Sequence, residues 1–312
     1  MYNPVRKRGD THSLSRKARD NIELYIIMLP VLVLIFIFSY VPMYGVLIAF
    51  QDYMPGQPFV GAGVKWVGFK HFEQFISSFY FARIMRNTLV LSLLNLAMGF
   101  WVPLLFALML NEMRGAWLKK TVQTVSYLPY FISMVVMAGM VLSFIGTNGP
   151  VVEIAAILGM QPKSLAANRD AFKWVYTITN IWKSYGWSSI LYLSTMSSID
   201  PELYEAASMD GATRLKCMRF ITVPFLMPLV MIQLIFAIGA LMGSNTELIL
   251  LLYNQSIYET ADVIGTYVYR EGLVGGRFSY ASASGLLMSI ISFILVFSAN
   301  KVSDKLTDFS LW

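Results

Sequence analysis

The sequence predicts an all-α polytopic membrane protein of six transmembrane helices, on three observations. Of the 312 residues 56% are hydrophobic and only 13% charged, about half the roughly 25% charge usual in soluble domains. A folded chain of this length must keep much of its surface wet, which so apolar a composition does not allow. Charges are also absent over stretches long enough to cross a bilayer, which takes about 20 apolar residues. Finally, the cations outside those stretches are shared unevenly between alternate connecting segments. The 21 Gly and 12 Pro follow no triplet period, and the one Cys forms no internal disulfide. Cys217, in a basic loop, reads as an inert thiol.

Residues 1–23 form a basic, polar arm. The arm and the apolar run behind it are both too long for a cleaved signal peptide, and the arm is expected on the inner leaflet. The uncharged windows then run Leu24–Gln51 (28 residues), Asn87–Asn111 (25) and Thr121–Val152 (32). The third must hold some loop, because Asn148-Gly149-Pro150 is turn chemistry. The fourth, Trp174–Ile199, is 26 long and interrupted only by Lys183. Phe220–Thr246 (27) and Phe278–Asn300 (23) complete the six. The expected organisation is thus an arm over 1–23, a membrane domain over 24–302 with a special loop at 199–219, and a tail over 303–312. Six spans put both termini on one side. That side carries 14 Lys and Arg against nine on the other, Lys183 excepted, so the termini are expected in the cytoplasm. The formal charge of +6 then reports topology and anionic lipid, not nucleic acid. No internal repeat is visible, which speaks against a secondary transporter.

One inner segment carries its own folding code. Asp200 suits an N-cap and Pro201 the first helical position, where a missing N–H leaves no gap. Glu202 lies where the helix dipole favours an anion, and Gly211 is placed to stop the helix left-handed. A short helix over 201–210 is therefore expected to project into the cytoplasm, with Thr213 capping a second helix that runs into span five. Ala206 and Ala207 give a low-relief face, Glu205 and Asp210 flank it with carboxylates, and Leu203, Tyr204 and Met209 offer grip. Such a helix either lays itself in a partner's groove or packs on its own bundle.

These residues resemble a known family. Glu205-Ala206-Ala207, then Asp210-Gly211-Ala212, then Phe220, Ile221, Pro224 and Pro228, resemble the EAA loop of ABC importer permeases. Pro42-Met43-Tyr44-Gly45, Asn87-Thr88-Leu89, Gln123–Pro129 and Ile181-Trp182-Lys183 look like the maltose-type carbohydrate branch. Tyr253-Asn254, Thr266–Arg270 and Leu311-Trp312 look like its polysaccharide-permease subfamily. The chain departs from the pattern at Gln255, Gly265 and Tyr130, where Pro, Asp and His are usual. The resemblance implies the type I importer permease fold with 201–210 as a coupling helix. It implies a second permease subunit, two ATP-hydrolysing subunits that hold ATP and Mg, and an extracellular or periplasmic solute-binding protein docking on outer loops, in a bacterial inner membrane. Relatives in that subfamily import oligosaccharides.

The chain lacks G-x-x-x-x-G-K-[ST] and has only His12 and His71, so catalysis is expected from a partner and no metal or cofactor on this chain. Its own task is bistability, two packings a few kcal/mol apart. Glu205 is expected to contact the ATPase cleft, Gly211 to keep the peg rigid, and Asp210 to cap the following helix or only its own turn. Pro224 and Pro228 each remove a helix hydrogen bond, as a lever or as a static kink. Gly239-x-x-x-Gly243 allows close helix approach. Lys183, an intramembrane cation about ten residues from the outer end of its span, marks a pathway or a buried partner, with Trp187 in reach for a cation–π contact. Trp182, Tyr185, Ser189 and Tyr192 form a stripe that either lines a sugar path or is core; Asn245 and Asn254 are further path candidates. The alternatives are an ABC permease for another solute, an ion-driven carrier, and a non-transporting receptor or scaffold.

Overall fold

The computed structural model describes residues 21–159, 164–307 and 309–311. The cations of the arm (Arg6, Lys7, Arg8, Arg16, Lys17, Arg19), Lys163 and Trp312 lie outside these. Five helical stretches are long and apolar enough to cross a membrane: Leu24–Phe50, Phe81–Glu112, Met134–Ile157, Arg214–Met242 and Phe278–Lys305. The first comprises α1 (Ile22–Ile35) and a continuation tightening toward Phe50. Beyond the turns at 52–69 come α2 (Lys70–Ile76) and the second span, α3 (Phe81–Leu94) with α4 (Trp101–Glu112). A sixth helix, α8 (Arg169–Ser197), has 29 residues and reaches about 44 Å, but is too polar to stand among the five.

The third uncharged window is not one helix. Its first part belongs to α5 (Ala116–Tyr127), which starts in the basic loop. A tight turn, Leu128–Phe131, follows, and the backbone is extended at Ile132 and Ser133 before α6 (Met134–Ile145). Pro129 contributes no backbone N–H at this break. The span proper ends in α7 (Pro150–Ile157), after the turn that Asn148-Gly149-Pro150 announced. The fifth window is shifted: α10 (Arg214–Cys217) runs through a widened turn at Met218–Thr222 into α11 (Val223–Gly239). Pro224 and Pro228 both lie within the continuous helical stretch Arg214–Met242, Pro224 directly behind the widened turn and Pro228 inside α11. Between α8 and α10 lies α9 (Pro201–Met209); after α11 come α12 (Thr246–Leu252), α13 (Ile264–Tyr269) and α14 (Phe278–Thr307). The tail boundary expected at 303 therefore falls inside α14.

Without a hydrophobic drive between helices in lipid, close backbones and hydrogen bonds do the packing. A Cβ on Gly186 of α8 would lie 2.1 Å from the Ser126 carbonyl of α5. One on Gly239 would lie 2.3 Å from Val296 of α14, whereas Gly243 is loosely surrounded and past the helix end, so half of the Gly-x-x-x-Gly pair makes the approach. At Gly265 a Cβ would lie 1.9 Å from the Thr246 hydroxyl, so the chain passes close to α12 there. At the bundle end opposite α9, the buried Asp262 carboxylate accepts from both terminal nitrogens of Arg270 (3.1 and 2.8 Å) and from Thr266 (2.8 Å), with Arg83 at 3.8 Å. Those bonds push the Arg270 pKa up, and burial followed by the Tyr258 hydroxyl pushes Tyr253 up to about 12.

The peg and the central cavity

The helix α9 forms as its local code requires. The Asp200 side chain accepts from the Glu202 N–H at 3.0 Å, and Pro201 opens the helix. At the other end Gly211 takes φ +74°. The Gly211 N–H donates to Ser208 O (3.1 Å) and the Ala212 N–H to Ala207 O (2.9 Å), the paired bonds of a glycine-stopped helix. Asp210 is the last residue of this turn and not a cap on the next helix, and the Thr213 hydroxyl caps nothing among the described residues.

Not one residue of α9 is buried. One face is turned to the bundle: the Tyr204 hydroxyl meets Thr222 Oγ1 at 2.9 Å. Tyr204, Ser208 and Ala212 line a hollow of about 280 Å³ with residues 111–114, Arg214 and Cys217. Tyr204 thus anchors the peg to the bundle. The other face carries exposed Leu203, Glu205, Ala206 and Met209, the last 89% accessible. Ala207 and Ala212 are half-buried at the root. Cys217 is buried and free.

Above it, α3, α4, α8 and α11 surround a cavity of about 910 Å³. Of the expected path residues Trp187, Tyr192 and Asn245 line it; Trp182, Lys183, Tyr185 and Asn254 do not. The ring of Tyr185 packs edge-on against Phe106, Ser189 is buried against Gly186 O, and Trp182 is half exposed. Asn254 caps a turn through the Ser256 N–H and donates to Ala166 O. The stripe Trp182-Tyr185-Ser189-Tyr192 is therefore not the lining face. That face of α8 is Asn180, Ser184, Trp187, Ser188 and Leu191.

Sequence reading missed the polar network at the cavity. Asn180 donates to Asn95 Oδ1 (3.2 Å) and accepts from Asn245 (3.1 Å). Asn95 donates to the Tyr176 hydroxyl (3.3 Å), which also accepts the Asn245 backbone N–H (2.9 Å). Asn95 opens a widened turn, Asn95–Gly99, between α3 and α4, a feature common at functional sites in helices. The buried hydroxyls of Ser92 and Ser244, both in the lining, have no hydrogen-bond partner among the described residues. Three asparagines within uncharged windows were the available signal, of which only Asn245 stands among the expected path residues, because a ruler counting formal charges is blind to amides.

Lys183 is not in the lining and reaches into the break of the third span. Its ammonium donates to the carbonyls of Tyr130 (3.1 Å), Pro129 (3.5 Å) and Ile132. Its cation–π contact is with Tyr130, at 5.9 Å from the ring centre, in place of the expected Trp187. Tyr130 in turn stacks on Trp187, centroids 4.6 Å apart and planes 5° from parallel.

The model of the family described as "binding-protein-dependent transport system inner membrane component" matches residues 99–308. The chain is 41% identical to the polygalacturonan/rhamnogalacturonan transport system permease protein YteP of Bacillus subtilis, over 90% of this chain and 88% of that one. It is 38% identical to the protein LplB of the same organism, over 97% and 95%. Among solved structures it resembles a chain of a bacterial alginate ABC transporter, in complex with an alginate pentasaccharide-bound periplasmic protein (TM-score 0.85, 37% identity, 95% of this chain and 99% of that one). A six-helix polytopic bundle with this fold match and this extent of identity has the type I importer permease architecture, and the chain belongs to the family of inner-membrane components of binding-protein-dependent transport systems.

Proposed function

We propose that the chain is the pore-forming permease subunit of an ATP-driven importer of oligosaccharides, working with a second permease subunit, two ATP-hydrolysing subunits and a solute-binding protein. The cavity carries this reading. Its lining offers amides (Asn95, Asn180, Gln233, Asn245), hydroxyls (Ser92, Ser184, Ser188, Ser244) and the aromatic Trp187 and Tyr192, with no charged residue. Sugars have apolar C–H faces and many hydroxyls, so aromatic surface beside neutral donors and acceptors suits them. The relatives' polygalacturonan, rhamnogalacturonan and alginate support fragments of acidic polysaccharides as the cargo.

ATP and Mg belong, on this reading, to the ATPase subunits, and α9 is the coupling helix. Glu205, Ala206 and the turn Asp210-Gly211-Ala212 enter the ATPase cleft, Ala207 lets the backbones approach, and the Schellman bonds keep the peg rigid. Both termini and the arm over 1–23 face the cytoplasm. The Leu24–Phe50 span, with none of its most apolar window buried, offers its flank to lipid and to the second permease. In proteoliposomes holding the whole assembly, uptake of a labelled oligogalacturonide should require ATP and the binding protein. Glu205→Lys should lower uptake at least about tenfold while leaving the amount of assembled bundle unchanged. Normal uptake by that variant removes Glu205 from coupling, and uptake by the chain alone on an ion gradient overturns the importer reading.

A further inference from the structure

Lys183, the one cation inside the six windows read from the sequence, is accounted for by a task other than meeting cargo. At the break between α5 and α6, three carbonyls, those of Pro129, Tyr130 and Ile132, converge on one ammonium. The Pro129 carbonyl also accepts from the Ile132 N–H (3.3 Å), so the ammonium matters most to those of Tyr130 and Ile132; a carbonyl freed by a broken helix costs several kcal/mol if left unmet away from water. Two further contacts fix the same place. Gly186 sits so close to the Ser126 carbonyl, one turn before the break, that no side chain fits between α8 and α5. Trp187, next to Gly186, is stacked on Tyr130 and edge-on to Phe131 (5.5 Å, 86°). Trp187 also lines the cavity, whereas Lys183 does not. One short stretch of α8 therefore holds the break through Lys183 and Gly186 and, on the adjoining edge of the same face, gives Trp187 both to the break and to the cavity lining.

We propose that Lys183 is a positioning residue: its ammonium staples the carbonyls of the broken third span to α8, and thereby holds Tyr130 flat against Trp187 and fixes Trp187 as a rigid aromatic side chain in the cavity lining. The proposal deepens the oligosaccharide reading and rests on it for its transport readout alone. Cargo meets Trp187, not the cation. A guanidinium also donates to several carbonyls, so arginine can do the same work, whereas a methionine of similar length cannot.

The test uses the assembled transporter and two independent readouts. Acrylamide quenching of the Trp187 emission is isolated by subtracting the spectrum of the Trp187→Phe variant; uptake of labelled oligogalacturonide is measured in proteoliposomes. Lys183→Met should raise the quenching of Trp187 at least about twofold and cut uptake about tenfold, and Lys183→Arg should restore both to within about threefold of wild type. Should Lys183→Met fail to assemble, Tyr130→Leu keeps the staple but removes the stack, and the same loss of uptake is expected. Normal uptake by Tyr130→Leu overturns the proposal. So does loss of uptake in both lysine variants with Trp187 quenching unchanged, which would make Lys183 a direct cargo contact. If the wild-type assembly takes up none of the sugar, the oligosaccharide reading falls while the quenching comparison still decides the staple.

Discussion

The first span and α8 are opposites in composition and in placement. Leu24–Phe50 is the most apolar span of the molecule, yet none of its core window is buried, and it joins the bundle only near its end, where Ala49 packs with Phe72 and Ala283. The helix α8 is too polar to qualify as a span by composition, yet it packs against α3, α4, α5, α11 and α12 and buries Tyr176, Thr177, Thr179, Ser189 and Tyr192. In water the ranking would be reversed. In a bilayer lipid tails are as apolar as leucine, so hydrophobicity marks a helix that stays with lipid, while small and polar residues mark one that meets other helices. Polarity inside a span is therefore a pointer to the centre of this protein and to its cavity.

Substitutions that exchange these characters should break the comparison, and the largest effect is expected at Gly186. Gly186→Leu brings its Cβ to 2.1 Å from the Ser126 carbonyl oxygen, and overpacking of this kind costs about 1–3 kcal/mol or more. The melting temperature of the purified complex should fall sharply, or assembled protein should be lost, whereas Leu29→Ala on the exposed first span should leave melting nearly unchanged. A comparable loss from both would mean that the first span is as tightly held as α8.

Next in size is Asn180→Leu, which makes α8 more apolar but deletes its bonds to Asn95 and Asn245. Interhelical hydrogen bonds in membranes contribute about 0.6–2 kcal/mol each, so a modest drop in melting is expected together with a loss of uptake of about tenfold or more. Retained uptake with reduced stability would make the network purely architectural.

A smaller effect sharpens the contrast without disturbing the fold. In a Cys217→Ser background, spin labels at Leu29 and at Leu32 should be open to lipid-phase oxygen in the isolated chain, while one at Ser189 should not. Adding the second permease should shield one face of the first span; unchanged accessibility on all faces would leave that span to lipid alone.

The smallest effect lies in the knot that ties the first span to the bundle. Asp52 meets Lys65 at 3.3 Å, Lys70 at 3.2 Å and His71 at 3.2 Å. Desolvation pushes its carboxyl up, but the hydrogen bonds and charges of Lys70 and Lys65 outweigh it and hold the pKa below the usual value. A depressed carboxylate stabilises the fold above its unfolded pKa of about 3.9 and loses that contribution as pH falls through the lower folded value. Proteolysis of the 52–70 segment should accelerate on acidification below about pH 4, and Asp52→Asn should flatten that dependence.

The peg was legible almost to the residue because its signals are local. An aspartate before a proline caps the N–H groups of its own first turn, and a glycine accepts a left-handed turn, whatever the rest of the chain does. The existence of the spans was legible for a similarly local reason, since a charge is costly in lipid wherever the helix goes. The lining of the cavity was not legible in the same way. Of the stripe through Trp182, Tyr185, Ser189 and Tyr192 only Tyr192 lines it, beside Asn180, Ser184 and Trp187, because helical periodicity says which residues share a side and not what that side meets. Asp262 was equally opaque, its second cation, Arg83, lying far back in the chain.

Lys183 shows the division most plainly. Its sequence position determined that one ammonium had to be satisfied inside the bundle, because lipid offers it no partner. Which groups satisfy it depended on where a proline-bearing turn some 50 residues earlier was brought to rest. The amino-acid order thus determined class, span count and peg through interactions within a few turns of chain. The cavity, its lining and the staple were decided only by helices meeting across long sequence separations, where packing distance and hydrogen-bond direction choose among faces that look alike in one dimension.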